Sequence, residues 1–180
     1  LTYDARDSRL EPTKGYVIRL NNDFAGVGGN VRYLRNRLKA TEYFKLADAW
    51  IFSIEGEGGY INGLGKNVRI ADRFFLGGDT LRGFKFAGVG PRDLTPGANN
   101  DALGGNRFVR GTAELTMPSG LPDEVGVKLH VFADAGTLGE VKFTPQPNED
   151  LRTEEAIRIS AGVGATWQSP FGPIRLDLAK

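Results

Sequence analysis

Phe74-Phe75-Leu76-Gly77-Gly78-Asp79-Thr80-Leu81-Arg82-Gly83-Phe84 is the stretch on which the reading of this chain turns. It lies in a glycine-rich segment, from about Ile61 to Gly104, that interrupts an otherwise short-turned β pattern. A connection of that length in a compact β protein is usually functional or disordered. Its centre holds Arg82 in a frame of small and apolar residues.

Outward from this segment the hydrophobic period is two, the mark of strands. Upstream, Leu1, Tyr3 and Ala5 share a face against Asp4 and Arg6. Tyr16, Ile18, Leu20 and Phe24 oppose Arg19, Asn21 and Asp23. Leu34, Leu38, Ala40, Phe44 and Leu46 oppose Arg35, Arg37, Lys39 and Lys45, and Trp50, Phe52, Ile54 and Tyr60 oppose Ser53, Glu55 and Glu57. Downstream, Val109, Ala113, Leu115 and Met117 oppose Arg110, Thr112, Glu114 and Thr116. Val125 to Ala133 alternate against Lys128, His130, Phe132 and Asp134. Ile157 to Trp167 alternate against Arg158, Ser160, Thr166 and Gln168, and Ile174, Leu176 and Leu178 against Arg175 and Asp177. This predicts an all-β chain of about eight antiparallel strands, many near the ~9–11 residues that cross a bilayer at a tilt.

The connections near residues 47, 119 and 170 are short, while those at about 61–104 and 139–153 are long, the asymmetry of transmembrane barrels. The turn at Gly26–Gly29 is short for an outer loop. Trp50, Tyr60 and Trp167 fall at strand ends, where interfacial aromatics belong. A short helical turn is expected near Ile70–Arg73. Alternation alone leaves two architectures open. A soluble sandwich or ligand-binding barrel would turn the apolar face inward, and a transmembrane barrel would turn it to lipid.

Parity places Glu114 and Asp134 on the polar face of successive strands. Two neighbouring carboxylates repel unless a cation lies between them, and the Arg82 guanidinium can bind both through charge-assisted hydrogen bonds. Gly83 allows a tight turn beside it, and Phe84 would pack on the lumen wall. The competing reading is an exposed loop arginine with two solvated carboxylates.

Bulk properties narrow the function. The 180 residues carry a net charge of +1, with 25 glycines and no cysteine, and the mean hydropathy is -0.30. This suits one domain, and no run reaches the ~18 apolar residues of a spanning helix. Basic residues are interspersed with acidic ones, so no nucleic-acid partner is expected. Disulfides and thiolate metal sites are excluded by composition. The chain opens strand-like at Leu1-Thr2-Tyr3-Asp4 and stops within a strand at Lys180, so a piece of a longer chain is expected. His130, the single histidine, reads as a lumen residue. Gly162-Val163-Gly164 sits in a strand with no helix after it and is no nucleotide loop. No nucleophile frame or metal-ligand spacing stands out, so neither an enzyme nor a cofactor is expected. Glu114 and Asp134 could form an acid–base pair, but Arg82 beside them would keep both ionised.

The stretch Phe74–Phe84, followed by Gly88-Val89-Gly90-Pro91-Arg92, resembles the sixth extracellular loop of the BamA-type outer-membrane barrel-assembly family. The likeness continues through Leu103-Gly104-Gly105-Asn106, Ala113-Glu114-Leu115, Phe132-Ala133-Asp134-Ala135-Gly136 and Trp167-Gln168-Ser169-Pro170-Phe171-Gly172-Pro173. Upstream, Tyr3-Asp4-Ala5-Arg6-Asp7 and Pro12-Thr13-Lys14-Gly15 also fit, so it covers nearly the whole chain. The resemblance implies the C-terminal half of a sixteen-stranded barrel, without its periplasmic POTRA domains, first strands and last strand. It implies a bacterial outer-membrane location and a role in folding and inserting other barrel proteins. The implied partners are unfolded barrel substrates, accessory lipoproteins and membrane lipids. It further implies that Arg82 reaches into the lumen to pair with Glu114 and Asp134, with Gly83 and Phe84 completing the brace. Secretion pores of the same superfamily carry a similar loop, as does the mitochondrial sorting-and-assembly barrel, and both stay open as alternatives.

Overall fold

The computed structural model describes residues 1–26, 28, 31–141, 150–153 and 155–180. In chain order the strands are β1 (Thr2–Asp4), β2 (Gly15–Ala25), β3 (Tyr33–Ala47), β4 (Trp50–Gly63), β5 (Arg92–Asp93), β6 (Asp101–Ala102), β7 (Arg107–Pro118), β8 (Val127–Gly139), β9 (Leu151–Arg152), β10 (Arg158–Ser169) and β11 (Gly172–Ala179). Eight of them form one antiparallel sheet in the order β1-β2-β3-β4-β7-β8-β10-β11. Each strand lies beside its neighbours in sequence, apart from the short strands of the long connections. β2, β3, β4, β7, β8 and β10 have 11 to 15 residues, enough to cross a bilayer at a tilt.

The apolar face points outward, and none of the described residues covers it. Ile18, Leu38, Phe44, Trp50, Ile54, Val109, Val131, Ile159, Val163, Leu176 and Leu178 are all exposed. A contiguous surface of that kind is stable only against another apolar phase. Here it is the outward band of a barrel wall facing lipid. The soluble alternative, which required these faces to pack inward, is thereby corrected. Aromatic residues sit near strand ends as expected, among them Trp50 at the start of β4 and Trp167 near the end of β10.

The inner face is not polar throughout. At the end of the wall nearest the long connection, Ile61, Phe108 and Leu138 break the alternation and point inward. There they meet Val68, Phe74, Leu76, Leu81 and Val89 of the connection in a buried apolar cluster. Phe74 meets Phe108 edge-on, with ring centroids 4.7 Å apart. The expected polar interior thus holds at one end of the wall and gives way to a packed apolar cluster at the other.

β4 extends through Gly63, because Asn62 and Gly63 still pair with Leu34 and Tyr33, and β7 starts at Arg107. The connection therefore runs over 64–106, slightly displaced from the expected 61–104. It contains the 3₁₀ turn Ile70–Asp72, where a helical turn was expected. The buried Arg73 guanidinium donates to the carbonyls of Val68 at 3.2 and 3.1 Å and of Leu103 at 3.0 Å, tying the two legs together. The chain after Pro118 forms a 3₁₀ turn at Asp123–Val125, so β8 begins two residues later than the alternation suggested.

A feature without periodic signal is a second sheet, ordered β6-β5-β9. Arg92 of β5 pairs with both Ala102 and Arg152, which joins the first long connection to the second. Of the second connection, expected over 139–153, residues 142–149 lie outside the described residues. So do residues 27 and 29 of the turn expected at Gly26–Gly29.

Candidate functional site

The glycine-rich centre of the 64–106 connection folds back against the inner face of the wall. Leu81 is fully buried in the apolar cluster, which fixes the backbone one residue before Arg82. Gly83 then takes φ +86°, a left-handed conformation that costs a side-chain-bearing residue energy and glycine nothing. A Cβ at Gly83 would also lie 3.1 Å from the Ser160 Cβ on β10. The Ser160 hydroxyl donates to the Arg82 carbonyl. Phe84 packs on the apolar cluster, which mixes side chains of the connection with those of the wall.

With its backbone pinned, Arg82 projects between two strands. Its Nε and Nη2 donate to the two oxygens of Asp134 on β8, each at 2.7 Å, as a bidentate fork. Its Nη1 donates to Glu114 Oε2 on β7 at 2.9 Å. The Arg82 amide also donates to Asp134 Oδ2 at 3.3 Å. The guanidinium lies over the Phe132 ring, 3.4 Å from its centroid, and Phe132 is directly opposite Glu114 in the β7–β8 register. An aromatic face under a partly desolvated guanidinium adds a cation–π attraction. Burial lowers the pKa of Arg82, but the hydrogen bonds to Asp134 and Glu114 outweigh it and raise the pKa above the ordinary guanidinium value. The cation is therefore permanent.

Of the five residues expected at this point, Arg82, Glu114 and Asp134 are in direct contact, Gly83 turns the backbone beside Arg82, and Phe84 lies on the apolar cluster. Sequence reading missed how far the charges extend. Arg175 on β11 donates to both oxygens of Glu114, at 3.1 and 2.7 Å. Asp177, also on β11, lies 3.6 Å from Arg82 Nη1 and contacts His130. The parity of Arg175 and Asp177 was readable, since both oppose the Ile174, Leu176 and Leu178 face. Their reach to β7 and β8 depends on sheet curvature, which no local pattern encodes.

A second arginine approaches the connection from the other direction. Arg110 on β7 donates through Nη1 to the Thr80 carbonyl at 3.2 Å. Its remaining nitrogens donate to Glu57 and Glu55 on β4. Those carboxylates also take Arg37 at 2.6 Å and Lys39 at 2.8 Å from β3. A water-accessible cavity of about 690 Å³ separates part of this ladder from the Arg82 cluster and is lined by residues of both. Arg110→Met is expected to expose the backbone from Asp79 to Leu81, because the Thr80 carbonyl loses its donor. The loss of one hydrogen bond to a charged group corresponds to roughly 1.5–3 kcal/mol of local opening energy. Amide exchange over that segment, unchanged in the variant, would remove Arg110 from the anchoring of the connection.

An eight-stranded wall with a lipid-facing outer band and a long connection fixed inside it is the architecture of an outer-membrane barrel protein. The whole chain, residues 1–180, matches the family model of the Omp85 superfamily domain, and the chain belongs to that superfamily. Among relatives, it is 42% identical to outer membrane protein assembly factor BamA of Neorickettsia risticii over 176 residues, which is 97% of this chain and 23% of that protein. It is 30% identical to the BamA of Neisseria meningitidis over 195 residues, 96% of this chain and 24% of that protein. It is 31% identical to the human sorting and assembly machinery component 50 homolog over 175 residues, 91% of this chain and 36% of that protein. The crystal structure of BamA from Haemophilus ducreyi lacking POTRA domains 1–3 superimposes with a TM-score of 0.84 at 26% identity, over 99% of this chain and 37% of that one. The chain thus spans about a quarter of the BamA relatives' length and forms a segment of an outer-membrane β-barrel.

Proposed function

We propose that this chain is the C-terminal part of the barrel of an outer-membrane protein assembly factor in a Gram-negative bacterium. In this reading the protein folds and inserts other β-barrel proteins, with unfolded barrel chains as substrates and accessory lipoproteins and membrane lipids as partners. The Leu81-Arg82-Gly83-Phe84 tip acts as a brace that sets the shape and occupancy of the lumen. The observation that carries the reading is the three-way contact of Arg82 with Glu114 and Asp134, in a chain whose relatives bear assembly-factor names. No covalent step is assigned. Both carboxylates that could have served as an acid–base pair have their oxygens engaged by guanidinium groups. The work consists of lowering a kinetic barrier to strand insertion.

The test is complementation by the full-length protein carrying Arg82→Ala in cells depleted of the native one. The expected result is a fall in several unrelated outer-membrane barrel proteins, with the variant itself still present in the membrane. If barrel levels hold while one exported protein fails to leave the cell, the chain belongs to a secretion pore of the superfamily instead.

A further inference from the structure

Gly162-Val163-Gly164, which carries no nucleotide-loop function, marks a gap in the inner face of β10. Val163 faces lipid, and the two glycines face inward with no side chain. A Cβ at Gly162 would lie 2.5 Å from the Phe132 ring, and one at Gly164 would lie 2.4 Å from His130 Nε2 and 2.3 Å from Asp177 Oδ1. The same Cβ would also press on the Leu176 carbonyl at 2.4 Å. β10 separates β8 from β11 in the sheet, so side chains on those two strands meet only where β10 has none. Through this gap His130 of β8, buried in the wall, contacts Asp177 of β11.

Arg175 makes the next link. Its Nε donates to Asp177 Oδ2 at 2.9 Å, and its two terminal nitrogens reach across β10 and β8 to Glu114 on β7. Glu114 Oε2 therefore accepts from both Arg82 and Arg175, and Asp177 faces both guanidiniums. Two guanidiniums meet three carboxylates: Glu114, Asp134 and Asp177. The Ser160 hydroxyl holds the Arg82 carbonyl from β10. One polar cluster thus joins the tip of the connection to β7, β8, β10 and β11.

We infer that Arg175 and Asp177 are positioning residues that couple the tip of the 64–106 connection to β11, so that neither moves without the other. This rests on the brace reading of Arg82. The physical reason is shared occupancy: Glu114 is satisfied by Arg82 and Arg175 together. Withdrawing either guanidinium changes the field on the other's partner, and coupling between two such sites is reciprocal.

The experiment measures amide exchange in the full-length protein in lipid vesicles, at the tip (residues 81–84) and along β11, for Arg82→Gln, Arg175→Gln, Arg175→Lys and the double glutamine variant. Arg175→Gln is expected to speed exchange at the tip roughly tenfold or more, the weight of one lost charge-assisted hydrogen bond. Arg82→Gln is expected to speed exchange along β11 in return. Arg175→Lys keeps the charge but not the fork, and it should fall between wild type and Arg175→Gln. The double variant should show less than the product of the single effects, as residues in one network do. Fast tip exchange in Arg82→Gln with an unmoved tip in Arg175→Gln overturns the coupling and leaves the brace standing. An unmoved tip in Arg82→Gln overturns both.

Discussion

Arg82→Ala is expected to release the tip of the 64–106 connection from the wall, seen as new protease cleavage within that segment of the full-length protein in membranes. Removing one partner of a buried ion pair costs about 3–5 kcal/mol, because the other charge stays behind without compensation. The three carboxylates do not share that cost evenly. Glu114 keeps Arg175, and Asp177 keeps Arg175 and His130. Asp134, with 3% of its side chain exposed, loses the guanidinium that takes both its oxygens. The neighbouring cavity is large enough to admit water, which moves the expected cost toward the lower end of that range. Adding Asp134→Asn to Arg82→Ala should therefore restore more protection than adding Glu114→Gln does. Equal rescue by the two would mean that the burden is shared and the assignment to Asp134 is wrong.

Phe108→Ala is expected to loosen the same connection at its root while leaving the Arg82 contacts intact. Phe108 is 3% exposed and belongs to the cluster that joins wall and connection. Its ring also covers inward-facing Gly59, whose Cβ position lies 2.5 Å from it. Truncating a buried phenylalanine costs about 3–5 kcal/mol, the larger share where the cavity cannot collapse. A rigid sheet backbone on one side limits that collapse. The check is a lowered midpoint in heat-modified gel mobility together with exchange that rises first in residues 64–76. A midpoint equal to wild type would show that the apolar cluster adds nothing to retention of the connection. The two variants separate a charged hold at the tip from an apolar hold at the root.

The two-faced alternation of the strands was legible because its period is two and one face carries bulky apolar residues from Ile18 to Leu178, whereas the direction of that face was not, because a soluble barrel alternates in the same way. That Glu114 and Asp134 share the polar face was legible for the same reason, and the family resemblance then pointed to Arg82 as the cation between them. What escaped is instructive in physical terms. Ile61, Phe108 and Leu138 each sit beside an outward residue, Tyr60, Val109 and Thr137, so both faces of the wall carry packing side chains there. Read as alternation, such pairs look like noise at a strand end. They record that the strand leaves the aqueous part of the interior and enters a packed one. The β6-β5-β9 sheet escaped because two-residue strands have no period. The contact of His130 with Asp177 escaped because it depends on the absence of a side chain at Gly164 between them.

The cluster of Ile61, Leu76, Leu81, Val89, Phe108 and Leu138 has an electrical consequence. Ions cross a narrow passage only if they keep or replace their hydration, and an apolar constriction empties of liquid and blocks them. Where the rest of a barrel closes around this cluster, the apolar stopper would insulate even though charged groups line part of the wall. Steady current through the assembled barrel would then report the stopper's displacement, independently of any cargo.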